Sequence, residues 1–222
     1  MLWMGLALFV LVMSTEGVAQ DQGLKNSNLD VEPVLELLAK KYGNGVGLEG
    51  VLMETVDSPL LGTVGPRRVQ LLVSPPGKLR WAYGNDGDEG SYVVKGGQFW
   101  MLDPKRKTAM TGPVPPGIVQ RYLGFLTEMD ALQKDFSVTR GNSEDDLAVL
   151  LLVPKRPHPM ELTEIRLEVR LQDGTLTRLW MLDQQGSRTQ LDIESLVTDK
   201  KIDADRFQVV LTDDWEVMQA IP

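Results

Sequence analysis

From Leu48 onward the apolar residues recur with a period of two or in short runs, and Gly, Pro, Asp and Ser gather between those runs. Helices need longer stretches with a period near 3.6, so this patterning commits most of the chain to strands. The predicted strands are Gly50 to Val56, Arg68 to Val73, Lys78 to Tyr83, Ser91 to Lys95, Gln98 to Leu102 and Thr108 to Met110. A second series covers Phe136 to Thr139, Leu147 to Val153, Glu164 to Gln172, Leu176 to Leu182, Arg188 to Leu196 and Phe207 to Leu211. Asp57-Ser58-Pro59, Ser74 to Gly77, Gly84 to Gly90 and Gly96-Gly97 supply turns, and Asp173-Gly174 marks a tight hairpin. An antiparallel meander, a sandwich or a barrel follows from this spacing.

Two intervals break the pattern. Val31, Val34, Leu35 and Leu38 lie at helical spacing within Leu29 to Tyr42. Asp30 is placed to cap that helix, Pro33 falls in its first turn, and Gly43-Asn44-Gly45 stops it. A second apolar stripe, Ile118, Val119, Tyr122, Leu123, Phe125 and Leu126, follows Pro113, Pro115 and Pro116 and predicts a helix from Pro116 to Gln133. Inserted between strands, such a helix can lie across the open side of a sheet.

The first residues read as an export signal. Leu2 to Met13 is an apolar run too short to span a bilayer comfortably, and Gly17-Val18-Ala19 offers the small residues of a cleavage site. Residues 1–19 are therefore expected to be cleaved, residues 20–28 to form a flexible N-terminus and residues 29–222 to fold as one domain. No Lys or Arg precedes the apolar run, which departs from the usual signal. The chain has no Cys, so a disulfide framework, a thiol nucleophile and a lipidated cysteine are all excluded. An exported chain of this kind is expected in the periplasm.

The side chains offer little chemistry. With one His in the sequence, Ser-His-Asp catalysis and zinc ligation have almost nothing to draw on. That residue, His158 between two prolines, reads as a solvated loop residue. Gly43 to Gly47 resembles a phosphate-binding loop but follows a helix instead of opening one, so it reads as a helix stop. Glu144-Asp145-Asp146 and Asp213-Asp214 read as solvated turns. A formal charge of -8 gives no electrostatic footprint for nucleic acid or anionic headgroups. No cofactor or metal is implied, and the chain is not expected to be an enzyme.

What remains is apolar surface. Alternation in Lys78 to Tyr83 puts Leu79, Trp81 and Tyr83 on one face and Lys78, Arg80 and Ala82 on the other. Gln98 to Leu102 adds Trp100 and Leu102. An ordinary packed core would explain one such strand; the inserted helix and the abundance of Trp and Met point to a face that receives a greasy ligand.

The segments Pro76-Gly77-Lys78-Leu79-Arg80-Trp81, Gly97-Gln98-Phe99-Trp100-Met101-Leu102-Asp103-Pro104 and Leu182-Asp183-Gln184-Gln185-Gly186-Ser187-Arg188-Thr189, with Ile202-Asp203-Ala204-Asp205-Arg206-Phe207 behind them, carry a resemblance. In their order and spacing the chain is similar to the LolA family, the periplasmic carriers of outer-membrane lipoproteins. The resemblance implies an unclosed antiparallel β-barrel with a helical lid over an apolar cavity. It implies as partners an inner-membrane ABC-type complex that releases lipoproteins, the acylated lipoproteins themselves and an outer-membrane acceptor, with a monomeric carrier between them.

On that reading the acyl-binding lining is Leu52, Leu71, Val73, Leu79, Trp81, Tyr83, Trp100, Leu102, Leu179 and Met181. The lid is Val31, Val34, Leu35 and Leu38 from the first helix and Tyr122, Leu123 and Leu126 from the second. Burying an acyl chain of about fifteen carbons stabilises by on the order of 12 kcal/mol, at about 0.8 kcal/mol per methylene. Release then favours an adaptable lining, for which Met53, Met101 and Met181 are suited.

Two departures stand out. Pro75 occupies the position of the arginine that latches the lid in the family, with Leu79 where the family has Phe. Leu211-Thr212-Asp213-Asp214-Trp215 replaces a Pro-Pro-Gly near the C-terminus. Two other functions fit the same patterning: a carrier for another lipid such as a glycolipid, and a periplasmic interaction or sensor protein whose hollow is merely core.

Overall fold

The computed structural model describes residues 31–43, 47–114, 129–141, 146–158, 161–199 and 201–220. The expected leader, Asp30, Asn44-Gly45, residues 116–128 of the second predicted helix, and Glu144-Asp145 lie outside the described residues. So do the lid candidates Tyr122, Leu123 and Leu126.

Helix α1 is Glu32–Tyr42, and the first meander comprises β1 (Gly47–Ser58), β2 (Gly62–Ser74), β3 (Lys78–Tyr83), β4 (Gly90–Lys95), β5 (Gln98–Asp103) and β6 (Thr108–Pro113). A short helix α2 (Met129–Asp135) leads into the second: β7 (Phe136–Arg140), β8 (Leu147–Pro154), β9 (Leu162–Arg170), β10 (Leu176–Asp183) and β11 (Arg188–Asp199). A 3-10 turn at Ala204–Phe207 and β12 (Glu216–Gln219) close the chain.

All twelve strands form one sheet in the order β12-β6-β5-β4-β3-β2-β1-β11-β10-β9-β8-β7. Every neighbouring pair is antiparallel except β6 and β12, and the edges β7 and β12 do not meet, so the sheet is open. The two meanders are joined where β1 pairs with β11 along almost their full lengths. The fold is mainly β, as the alternating runs required.

The inner face of the sheet closes on one core. It takes Val94 of β4, Leu79 and Trp81 of β3, and Leu48 and Leu52 of β1 from the first meander. Leu179, Leu167, Leu150 and Phe136 enter it from β10, β9, β8 and β7. Helix α1 lies against this core with Val34, Leu35, Leu38 and Tyr42 buried. Its C-terminal end is fastened to the β9–β10 hairpin, where the buried Leu176 N–H donates to the Tyr42 hydroxyl at 3.1 Å. Lys41 donates to Asp173 at 2.9 Å and also to Thr175. At its N-terminal end Gln133 of α2 donates to Glu32 at 3.2 Å.

Two expectations are overturned. Phe207 to Leu211 is not a strand. The Asp203 carboxylate accepts the Asp205 N–H at 3.0 Å, which starts a 3-10 turn and drops Phe207 between Leu72 and Ile202 on the outer face of the sheet. The alternation there serves one anchoring ring followed by irregular chain. His158, expected to be solvated, is nine-tenths buried with its ring 6.1 Å from that of Phe136. The flanking loop folds back over the start of β7, where Lys155 N–H donates to the Asp135 carbonyl at 2.9 Å.

Strand β12 is the element that the patterning missed. All four of its side chains are exposed, so it carries no apolar alternation. It is recruited by its backbone, with Glu216 N–H donating to the Lys107 carbonyl at 2.9 Å and Ala220 N–H to the Thr111 carbonyl at 2.7 Å.

Candidate functional site

Cross-strand register decides which side chains share the inner face. One row runs Leu48, Val73, Leu79, Val94, Phe99 across β1 to β5, and the next runs Gly50, Leu71, Trp81, Tyr92, Met101. A third runs Leu52, Val69, Tyr83, and the last pairs Glu54 with Arg67. On the other side of β1 the face continues through Leu191, Leu179, Leu167 and Leu150. Alongside it run Met181, Ile165 and Leu152.

Eight of the expected lining residues are thus brought together: Leu52, Leu71, Val73, Leu79, Trp81, Tyr83, Leu179 and Met181. Trp100 and Leu102 are not. They pair with Val93 and Ser91 on the outer face, while Phe99 and Met101 point inward. Phe99 to Leu102 is apolar throughout, so alternation selects neither face. The signal that does select is the Gly96-Gly97 turn, which pairs Lys95 with Gln98 and hence Val94 with Phe99. Met53 pairs with Arg68 and Asp192 on the outer face, leaving Met101 and Met181 as the inward methionines. Of the lid residues, Val34, Leu35 and Leu38 are buried and Val31 packs against the same core.

The inner face also holds charge that the sequence reading missed. Glu54, 5% exposed, accepts from Arg67 Nη2 at 2.6 Å and from the Tyr83 hydroxyl at 3.4 Å. The Arg67 guanidinium lies 4.2 Å over the Tyr83 ring. Burial pushes the Glu54 carboxyl above its ordinary pKa, with the Arg67 charge and the hydrogen bonds pulling the other way. Burial, then the Glu54 charge, pushes the Tyr83 hydroxyl well above its ordinary value. Tyr92, stacked on Phe99 at 5.8 Å, is pushed up to about 12 by burial.

The outer face differs in kind. A crevice of about 680 Å³ on that face is lined by Glu49, Gln70, Arg80, Asp86, Asp205 and Arg206 together with the apolar Val51, Leu72 and Val197. Among the described residues no three His, Asp or Glu side chains could together hold a metal ion. No helix among them is long and apolar enough to cross a membrane.

The family model of the outer membrane lipoprotein carrier protein LolA matches residues 67–210, from β2 to the segment after the 3-10 turn. The chain belongs to the LolA family. No curated protein sequence matches it. Among solved structures, an uncharacterized conserved protein from Thermus thermophilus is 11% identical with a TM-score of 0.48, covering 86% of this chain and 100% of its own. The LolA superfamily protein NE2245 from Nitrosomonas europaea is 14% identical with a TM-score of 0.43, covering 82% and 98%. MucB is 14% identical with a TM-score of 0.42, covering 82% and 63%.

Pro75 lies in the turn between β2 and β3. The described polar attachments of α1 are at Glu32, Lys41 and Tyr42.

Proposed function

We propose that this LolA-family chain is a periplasmic carrier that shelters the acyl chains of lipoproteins released from the inner membrane and delivers them to the outer membrane. The observation that carries the reading is the continuous apolar inner face under α1, from Phe99 on β5 to Leu150 on β8. In this account the acyl chains displace α1 and spread along Leu71, Trp81, Leu179 and Met181, and no bond is made or broken. An inner-membrane ABC-type complex supplies the cargo and an outer-membrane acceptor removes it. In this account α1 serves as a lid, supported by its apolar contacts and by its bonds at Glu32, Lys41 and Tyr42, with proline at position 75.

Replacing Trp81 with a photocrosslinking amino acid in the exporting cell, followed by mass spectrometry of the captured species, tests this. Acylated lipoproteins are the expected catch. A glycolipid would instead favour a carrier of another lipid, and a protein bearing no acyl chain would overturn transport in favour of an interaction or sensor role. If the lid reading is right, P75R slows cargo release in a transfer assay between purified components; unchanged or faster release rejects a latch at that position.

A further inference from the structure

Polar groups on the inner face are gathered at one end of it. The first row, from Leu48 to Phe99, is apolar in side chain; the next brings in the Trp81 indole N–H and the Tyr92 hydroxyl, and Glu54, Arg67 and Tyr83 stand beyond it. Leu79 and Tyr83 are about 14 Å apart along β3 at about 3.4 Å per residue. The face therefore has a hydrocarbon end and a polar end, the ordering that an amphipathic ligand needs.

The polar end is also incomplete. Arg67 Nε–H and Trp81 Nε1–H are both buried and have no hydrogen-bond partner. Trp81 is 5% exposed, and its indole is close enough to the Tyr83 hydroxyl to depress that group's pKa without a hydrogen bond of good geometry. The Glu54 carboxylate is already engaged by Arg67 Nη2 and Tyr83. Buried donors are ordinarily satisfied, and each one left without an acceptor destabilises the protein. Both orphans are donors, so the missing group is an acceptor.

We infer that Trp81 Nε1–H and Arg67 Nε–H form a recognition site for the carbonyl oxygen at the head of an acyl chain whose tail lies along the apolar rows. The inference rests on the carrier reading and adds to it: the protein reads the acyl linkage as well as the hydrocarbon. An ester carbonyl and a fatty carboxylate offer the same acceptor. The ester is neutral, whereas the carboxylate meets both the Arg67 cation and the Glu54 anion.

The test uses the full mature chain and an environment-sensitive naphthylamine probe displaced by hexadecane, methyl palmitate or palmitate. Methyl palmitate is expected to displace the probe at a concentration roughly tenfold or more below hexadecane, the scale of one or two buried hydrogen bonds to a partly charged site. R67M, with folding checked by near-UV circular dichroism, narrows that gap and leaves hexadecane unchanged, whereas W81F, which also alters the lining, is read by the ratio of methyl palmitate to hexadecane alone and is expected to lower it. Palmitate outcompeting methyl palmitate assigns the site to the free acid; the reverse assigns it to the ester. Equal displacement by all three ligands overturns the recognition site and leaves the carrier reading standing, since hydrocarbon still binds. Displacement by none of them overturns both. The wild-type comparison needs no variant, so a misfolded W81F cannot rescue the inference.

Discussion

Two tryptophans on opposite faces of one sheet show how differently the faces are built. Trp180 on β10 points outward, and its indole N–H donates to Gln190 Oε1 at 3.0 Å while Arg178 lies 5.4 Å from its ring. Trp81 on β3 points inward, is buried, and makes no hydrogen bond of good geometry among the described residues. The sheet thus completes the hydrogen bonds where water could have done so, and leaves one open where water is excluded and the cost is about 1–3 kcal/mol. A face made only for stability would be built the other way round. The outer face is finished by the protein's own groups: the Phe207 anchor, the Arg206–Glu49 ion pair at 2.7 Å, and the Arg68–Glu194 pair at 2.8 Å.

The largest effects separate the faces by what is lost with stability. F207A empties the small outer cluster with Leu72 and Ile202 and is expected to lower unfolding free energy by about 3–5 kcal/mol. Lipid bound per folded molecule stays the same. L179A on the inner face is expected to cost about 2–5 kcal/mol and, under the proposed function, to change lipid capacity as well, because it opens space on the face proposed for the acyl chains. Chemical denaturation together with lipid stoichiometry checks the pair. Equal lipid capacity in both variants would erase the functional distinction between the faces.

That distinction was only partly legible in the sequence. Alternation in Lys78 to Tyr83 was enough to put Leu79, Trp81 and Tyr83 inward, because each apolar residue there has a polar or small neighbour. It was not enough in Phe99 to Leu102, where four apolar residues follow one another and only the register from the Gly96-Gly97 turn separates Met101 from Trp100. Glu54 and Arg67 were invisible for another reason. They lie within long strands, at positions where a charged side chain ordinarily faces solvent, and it is their pairing across β1 and β2 that lets the carboxylate be buried. Strand β12 left no trace because its backbone alone holds it, and Phe207 was read as strand because a single buried ring followed by Gln208, Val209 and Val210 imitates alternation.

A middle-sized effect sharpens the account of α1, which the inner face holds and the outer face lacks. The Tyr42 hydroxyl is the acceptor for the buried Leu176 N–H, so Y42F keeps the ring and orphans that amide. The expected loss is about 1–3 kcal/mol, with faster amide exchange through Glu32 to Tyr42. K41A removes the partly exposed pairs with Asp173 and Thr175 and is expected to cost no more than about 1 kcal/mol. If Y42F leaves exchange in α1 unaltered, the helix is held by Val34, Leu35 and Leu38 alone.

The smallest effect is a change of slope. Glu54 has its pKa raised by burial, so above the ordinary glutamate value of about 4.3 the folded protein holds a proton longer than the unfolded chain does. Stability from this group is complete below that value and is lost as pH rises through the raised one. The Tyr83 hydroxyl facing it is pushed further from neutrality by burial and does not titrate there. E54Q keeps an acceptor for Arg67 and removes the titration. The stability of the wild type relative to E54Q is therefore expected to fall as pH rises from about 4.3 and then to level off. Denaturant titrations across this range measure the difference directly, and a flat wild-type-minus-E54Q curve would mean that Arg67 cancels the burial of Glu54 in full, leaving the polar end of the inner face no more strained than the outer one.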